Sequence, residues 1–488
     1  MKFKKNNFAK EFKKNANYNP NFQEIENELE LKKAKFRFPR WAKITSAVAA
    51  CLLIIVSVPA ALIFDINIDR DAKKPYKENF QRGYIDVGDE ETFRALNEVT
   101  YPKFDPYYNF DELDEEYVNG VNTFAYDAFN YTLNNSTSNF VFSPFSLYSN
   151  VDMLSTMSED SSIQSLYSEV LHASNSLRRN NFRRAYSNNY RYKESFFSVQ
   201  SYNFGIFNNT LDVRQNYAKE VEREYFQLYQ MDYSSESDKN KLINLINNAM
   251  VDSSSYINQD DLDFYKNDIM ILSILNFQSK WSDVFYLVKG TSPFYTSDGR
   301  SVSAQYMNHT IFKNKAYKYD KYYSFYDSYY AGLYEVQYLY PINSNDNILD
   351  LVKGVNFLIE DPNNEVIPEY LDLTIPKFKT VSEFDFKSFL VEQGLSFLNE
   401  FNSEAYSKAI NFNQEYDSIK INNVIQKNSI EFREEGTKGL SVTISAGFAS
   451  PAPIEGIKVK FDQPFIYVIR DSTGLPIYIG VVNDPTIQ

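Results

Sequence analysis

The sequence has very little of two residues on which much protein chemistry depends. Cys51 is the single cysteine among 488 residues, so an intramolecular disulfide and a four-cysteine zinc site are both excluded. His172 and His309 are the only histidines, which argues against a histidine-based catalytic triad or metal cluster and makes an enzyme the weakest functional class. No cofactor or metal is expected. Positive charge is also short, with 50 Lys+Arg against 64 Asp+Glu and a formal net charge of −14. Such a balance suits a phosphate backbone poorly, so nucleic acid is not an expected partner. What the chain does have is apolar bulk. Hydrophobic residues make up 43% and aromatics 17%, with 40 Phe and 39 Tyr, enough to offset chain entropy in a large core.

The charge is unevenly placed. Residues 1–43 carry twelve Lys/Arg against five Glu, and Ile44–Phe64 then runs for twenty-one residues without a charge. As a helix, this run would span about 31 Å, close to the hydrocarbon thickness of a bilayer. Lys35, Arg37, Arg40 and Lys43 precede it while Asp65 and Asp69 follow, which orients the N-terminus toward the cytoplasm. A single-span anchor is the leading reading. A lipoprotein signal around Val48–Cys51 and a cleaved signal ending near Val58–Ala60 remain open. All three put the residues after 65 outside the cytoplasm, the first of them at the plasma membrane. The expected organisation is therefore a basic cytoplasmic segment (1–43), an anchor (44–64), a polar acidic tether (65–115) and a globular domain (116–488).

Within the globular part, Val118–Leu133 has apolar residues at helical spacing, and Pro144 opens a second helical stretch that runs to Met157. Strand-like runs follow at Ile269–Phe277, Leu333–Tyr340, Asn356–Ile359, Leu371–Ile375, Ile457–Phe461, Phe465–Ile469 and Ile477–Val482. Helices first and strands later predict a mixed α+β fold rather than alternating βαβ units.

Five segments in order resemble landmarks of the serpin family. They are Asn139–Tyr148, Lys280-Trp281, Leu371–Lys379, the hinge-like Glu431-Phe-Arg-Glu-Glu-Gly-Thr437, and Phe461–Asp471, which is similar to the family signature. The resemblance covers about Tyr117 to Pro485. It implies three β-sheets, eight or nine helices and an exposed reactive-centre loop between hinge and signature. It also implies a mechanism: a protease cleaves the loop and becomes acyl-linked to it, and the freed strand inserts into the central sheet and distorts the enzyme. Glu434, Glu435, Gly436, Thr437, Gly439 and Ser441 would form the hinge. Ser143, Ser146, Ser273, Trp281 and Gln426 would lie where the sheet opens, with Ser273 and Gln426 standing where the family usually has Asn and His.

Insertion makes a demand that can be read directly from the sequence. A strand entering a sheet sends alternate side chains to opposite faces, and those entering the core must be small. Counted from Thr437, the inward set is Thr437, Gly439, Ser441, Thr443, Ser445 and Gly447, all small. The outward set includes Leu440, Val442 and Ile444. Family spacing leaves Phe448, Ala449 and Ser450 as candidates for the scissile residue, with Pro451 following Ser450. No Arg or Lys lies between Lys438 and Lys458, so elastase-like or chymotrypsin-like proteases are expected over trypsin-like ones. Arg178, Arg179, Arg183 and Arg184 begin a basic island free of acids, where some family members bind polyanions. The expected function is extracytoplasmic inhibition by a monomer, of serine or also cysteine proteases. The competing class is a non-inhibitory surface binding protein such as an adhesin, ligand carrier or chaperone. Heavy Asn, Lys, Tyr and Phe use fits an AT-biased genome, and the lipobox-like run a bacterial one.

Overall fold

The computed structural model describes residues 92–102, 110–193, 197–250, 258–259, 262, 268–412, 418–421, 423–437 and 456–487. The chain divides between Pro75 and Tyr76, and every described residue belongs to the second part. The expected anchor, 44–64, lies outside them; among the described residues no helix is long and apolar enough to cross a membrane.

Three sheets and eight α-helices make up the described residues. Sheet A contains β1 (Arg94–Ala95), β3 (Arg191–Lys193), β4 (Phe197–Asn208), β5 (Phe226–Met231), β6 (Ile269–Lys280), β14 (Phe378–Asp385), β15 (Ile425–Arg433) and β16 (Gly436–Thr437). Its order is β1-β5-β4-β6-β16-β15-β14, with β3 on β4. Sheet B runs β12 (Glu365–Val366), β9 (Ala316–Lys318), β10 (Tyr322–Ser328), β11 (Tyr334–Pro341), β18 (Phe465–Asp471), β19 (Pro476–Val482) and β2 (Phe140–Phe142). Sheet C runs β17 (Ile457–Lys460), β13 (Tyr370–Pro376), β8 (Ser301–Phe312) and β7 (Tyr286–Tyr295).

Helix α1 (Glu115–Asn135) starts with two acids that complement its dipole and buries Tyr117, Val121, Phe124, Ala125, Ala128 and Phe129 on one stripe. Helix α2 (Pro144–Ser155) is buried along all twelve residues, because it packs against both β6 and β19. Ser143 caps it, its Oγ accepting from Ser146 N at 3.2 Å, with Pro144 in the first turn. Helices α3 (Ser161–Val170), α4 (Asn175–Asn188), α5 (Gln215–Val221), α6 (Glu236–Ala249), α7 (Ile348–Leu351) and α8 (Lys387–Glu392) complete the set.

Two expectations need correcting. The tether was expected to run to residue 115, yet β1 pairs with β5 at the edge of sheet A, and Phe93, Val99 and Tyr101 are buried. Asn97 does the work of a ladder residue. Its Nδ2 donates to the carbonyls of Ala218 (2.8 Å) and Phe226 (3.0 Å), and its Oδ1 accepts from Leu228 N (2.9 Å). The apolar residues in this stretch follow neither helical nor strand period, so the segment reads as a linker. Asn356–Ile359 was expected as a strand and is a turn: Asn356 Oδ1 accepts from Leu358 N, and its carbonyl from Ile359 N, closing the chain on itself.

Candidate hinge and sheet-opening site

Strand β15 alternates buried and part-exposed side chains, placing Gln426, Asn428, Ile430 and Phe432 on the core face. At Glu434-Glu435 the chain reverses, and Gly436-Thr437 returns as β16 with Arg433↔Gly436 and Phe432↔Thr437 as partners. On its other side β16 pairs with β6, Gly436↔Lys280 and Thr437↔Ser279. Among the described residues this short strand is what joins β6 to β15. A Cβ on Gly436, whose φ is positive, would collide with the Ser279 carbonyl and stand 2.7 Å from Lys280 Cα, so glycine is required for the chain to sit between the strands. Gly436→Ala is therefore expected to push β16 out of the sheet and to red-shift the emission of Trp281, one of two tryptophans; an unchanged spectrum would count against this seating.

An aromatic cluster holds the turn. Trp281 stacks on Tyr329 at 4.4 Å and meets Phe285 and Phe432 at 5.2 and 5.7 Å. Its Nε1 donates to the Arg433 carbonyl (2.9 Å), and its backbone N–H to that of Glu435 (3.1 Å). Phe285 N donates to the Glu434 carbonyl, and Lys377 pairs with the Glu434 carboxylate at 3.0 Å. Thr437 is fully buried, and its Oγ1 lies 2.6 Å from the Tyr329 hydroxyl. Burial holds the Tyr329 phenol well above its ordinary pKa, so it remains a neutral O–H partner. Behind this cluster His309 Nδ1 lies 3.2 Å from Asp327 Oδ2, both buried, with the imidazole edge-on to Phe285 at 5.0 Å. Burial raises the Asp327 carboxyl, and the hydrogen bond from His309 partly offsets the rise. Tyr329, Phe285 and Asp327 carried no sequence signal. His309 did, as one of two histidines.

Lower in the sheet, Gln426 is brought to Ser143: its Oε1 accepts from Ser143 N (2.7 Å), and its Nε2 donates to the Ser143 carbonyl (2.9 Å). Asn428 Nδ2 donates to the same Oε1. Ser273 is not part of this group; its Oγ donates to Asn203 Oδ1 on β4 at 2.6 Å. Ser146 Oγ is buried with no partner. Gly439, Ser441, Phe448, Ala449 and Ser450 lie outside the described residues.

The basic island is dispersed, and this corrects the polyanion reading. Arg178 is wholly buried, donating through Nε to Asp152 Oδ1 (2.8 Å) and through its terminal nitrogens to the Ala173 carbonyl and Ser155 Oγ. Arg179 also binds Asp152. Arg184 is tied to the Glu112 carbonyl and Asn181 Oδ1. Of the four, Arg183 alone is exposed, lying over Tyr225. Consecutive arginines on a packed helix cannot all face water, and the turn of α4 sends Arg178 into the body.

The family model for serpins (serine protease inhibitor) matches residues 119–485, three quarters of the chain and the whole of this site. The chain belongs to the serpin family. Among solved structures, this serpin is similar to the thermophilic serpin tengpin in its native state (TM-score 0.65, 20% identity, 78% of this chain and 97% of that one). Among curated proteins it is 30% identical to glia-derived nexin of Rattus norvegicus over 123 residues, covering 25% of this chain and 29% of the nexin. It is 26% identical to plasminogen activator inhibitor 1 of Neovison vison over 300 residues, covering 58% and 67%. The alignment thus spans under a third of the nexin's own length.

Proposed function

We propose that this serpin is a covalent inhibitor of serine proteases, acting outside the cytoplasm from a membrane anchor at residues 44–64. It is not an enzyme. The observation that carries the reading is β16, seated between β6 and β15 with Thr437 facing inward. Continued without a slip, the register would set Gly447 opposite Ile269, so that Gly436–Gly447 equals β6 in length. Gly439 would then meet Phe277 and Ile430, both buried, where a larger side chain has no room. Ser441 would meet Asn428, and Thr443 would meet Gln426 and Ser273. The small inward set read from the sequence is what that floor admits. Phe448, Ala449 or Ser450 would carry the scissile bond, which favours elastase-like or chymotrypsin-like targets.

The test is incubation of the full chain with elastase-, chymotrypsin- and subtilisin-like proteases, followed by denaturing gels and mass spectrometry. A complex that survives denaturant is expected, with the protease joined to one of those three residues. Clean cleavage without complex, and without a gain in thermal stability, would replace inhibition by the binding-protein reading.

A further inference from the structure

His309 of β8 lies opposite Leu373 of β13, so it stands on the core face of sheet C, where it is 5% exposed. Asp327 of β10 meets it from sheet B, opposite the buried Val336 of β11, and is 2% exposed. Ionisable groups are buried this deeply only when each answers the other, as the 3.2 Å contact of Nδ1 with Oδ2 allows. Both members of the pair are connected to the seat of β16. Asp327 Oδ1 accepts from Ser328 N (2.7 Å), and the next two carbonyls accept from Ser282, that of Ser328 from its N–H (2.9 Å) and that of Tyr329 from its hydroxyl (2.7 Å). The carboxylate thereby fixes the backbone that carries Tyr329, the ring that stacks on Trp281 and whose hydroxyl meets Thr437. His309 acts on the other side: its ring is edge-on to Phe285, whose N–H donates to the Glu434 carbonyl at the turn into β16.

The other ionisable groups around the pair are few. Asp283, between β6 and β7, acts on the Asp327 carboxylate; Tyr338 of β11 and Tyr467 of β18 lie beside Tyr329; and Glu434 in the hinge is paired with Lys377. Burial holds all three phenols far above their ordinary range, so they stay neutral. With the imidazole neutral and the carboxyl ionised, the pair carries one negative charge; with one more proton it carries none, whichever atom holds it. Apolar surroundings favour the uncharged sum, and the negative charge of Asp283 adds to that preference. Burial accordingly raises the Asp327 carboxyl, the hydrogen bond from His309 taking back part of the rise. Lifting β16 removes the partners of Phe285 and Tyr329 and admits water, which relaxes the preference. A state that holds a proton more tightly is favoured below the titration and loses its advantage as pH rises through it. We propose that His309 and Asp327 are positioning residues whose shared proton holds Phe285 and Tyr329 against β16, so that the strand is seated in mild acid and loosens toward alkaline pH. The effect on the seat stands on this geometry, and its consequence for trapping rests on the inhibitor reading.

The experiment uses the full chain with Trp41→Phe, so that emission reports Trp281 alone, and adds Asp327→Asn or His309→Gln to it. Emission is followed across the neutral range, from mild acid to mild alkali. The parent is expected to shift to the red as pH rises. Asp327→Asn, which has no carboxylate to leave bare, should stay blue throughout. His309→Gln, which keeps the carboxylate and loses its proton partner, should be red at neutral pH and turn blue only in acid. Opposite responses from two touching residues are not what a merely structural contact gives, and the near-isosteric Asp327→Asn decides the matter alone should His309→Gln fail to fold. The second readout is the ratio of denaturant-stable complex to cleaved protein, taken relative to Asp327→Asn at each pH so that the protease's own pH dependence cancels. That relative ratio should fall about tenfold across the titration for each tenfold by which the seated state binds the proton more tightly. A flat parent emission would overturn the proposal. So would a shift that persists in Asp327→Asn, which would place the titration on Asp283 or Glu434. A shift in emission with a relative complex ratio that ignores pH would keep the seat and overturn its link to trapping. A shift in emission with no complex from any protease would keep the seat and remove the inhibitor reading.

Discussion

Thr437→Arg is expected to turn the protein from an inhibitor into a substrate: the loop is still cut, but the protease is released and no denaturant-stable complex forms. Thr437 sits between Ser279 and Phe432 with no exposed surface, and its hydroxyl meets that of Tyr329. A guanidinium there would be buried against an aromatic cluster. The nearby carboxylate of Glu434 is already paired with Lys377, and that of Asp327 with His309. An uncompensated buried charge costs several kcal/mol, on the order of 3–5 when it replaces a satisfied arrangement. That is a factor of roughly 10² to 10³ or more against seating β16, at 1.4 kcal/mol per decade. On the proposed function, insertion runs on from this residue, so a β16 that cannot seat delays it before the protease is distorted, and hydrolysis of the acyl bond wins. The ratio of cleaved protein to complex on a denaturing gel measures the partition. Cleaved parent protein should also melt at a higher temperature than intact protein, whereas the cleaved variant should not. Trapping that survives Thr437→Arg would mean the route into the sheet does not pass through the seat of β16.

Arg178→Ala should produce the largest loss of stability in the domain. The side chain joins three segments: Asp152 and Ser155 on α2, the Ala173 carbonyl after α3, and its own α4. Removing one partner of a buried pair leaves the other uncompensated, which costs about 3–5 kcal/mol. Arg179 still reaches Asp152, but Asp152 Oδ2 already has no hydrogen-bond partner. The unfolding midpoint should fall by roughly 4–6 °C for a domain of this size. Arg178→Lys should recover only part of the loss, because an ammonium cannot reproduce the fork that reaches three acceptors. Arg183→Ala should leave the midpoint unchanged and serves as the control. Equal melting of all three variants would show that the arginines act as a surface group after all.

The two predictions draw on different kinds of knowledge. The inward place of Thr437 in a sheet was readable in advance, because a strand in a sheet has a period of two, and period two is a property of the chain itself. Small residues at every second position from Thr437 to Gly447 show it without coordinates. The hinge, Trp281 and the α1 and α2 helices are readable for the same reason: each rests on local spacing or on a short contiguous motif. Arg178 is the opposite case. Its neighbours in sequence are leucine and arginine, and nothing in that run says that one of two adjacent arginines points inward to a carboxylate twenty-six residues earlier.

Asn97 and Ser273 show the same limit. Asn97 takes the place of a strand residue through hydrogen bonds to Ala218, Phe226 and Leu228, more than a hundred residues away. The family pattern puts Ser273 and Gln426 in one region, but the Ser273 hydroxyl is claimed by Asn203 on the adjoining strand, and Gln426 closes instead on the backbone of Ser143. By itself the sequence determined the class of fold, the alternation of the entering strand and the position of the hinge, since these depend on residue order and side-chain size. Tertiary structure alone decided which polar groups are buried together: Arg178 with Asp152, His309 with Asp327, Tyr329 with Thr437. A buried polar atom must find its partner in space, and the sequence distance to that partner is set by topology rather than by any local period.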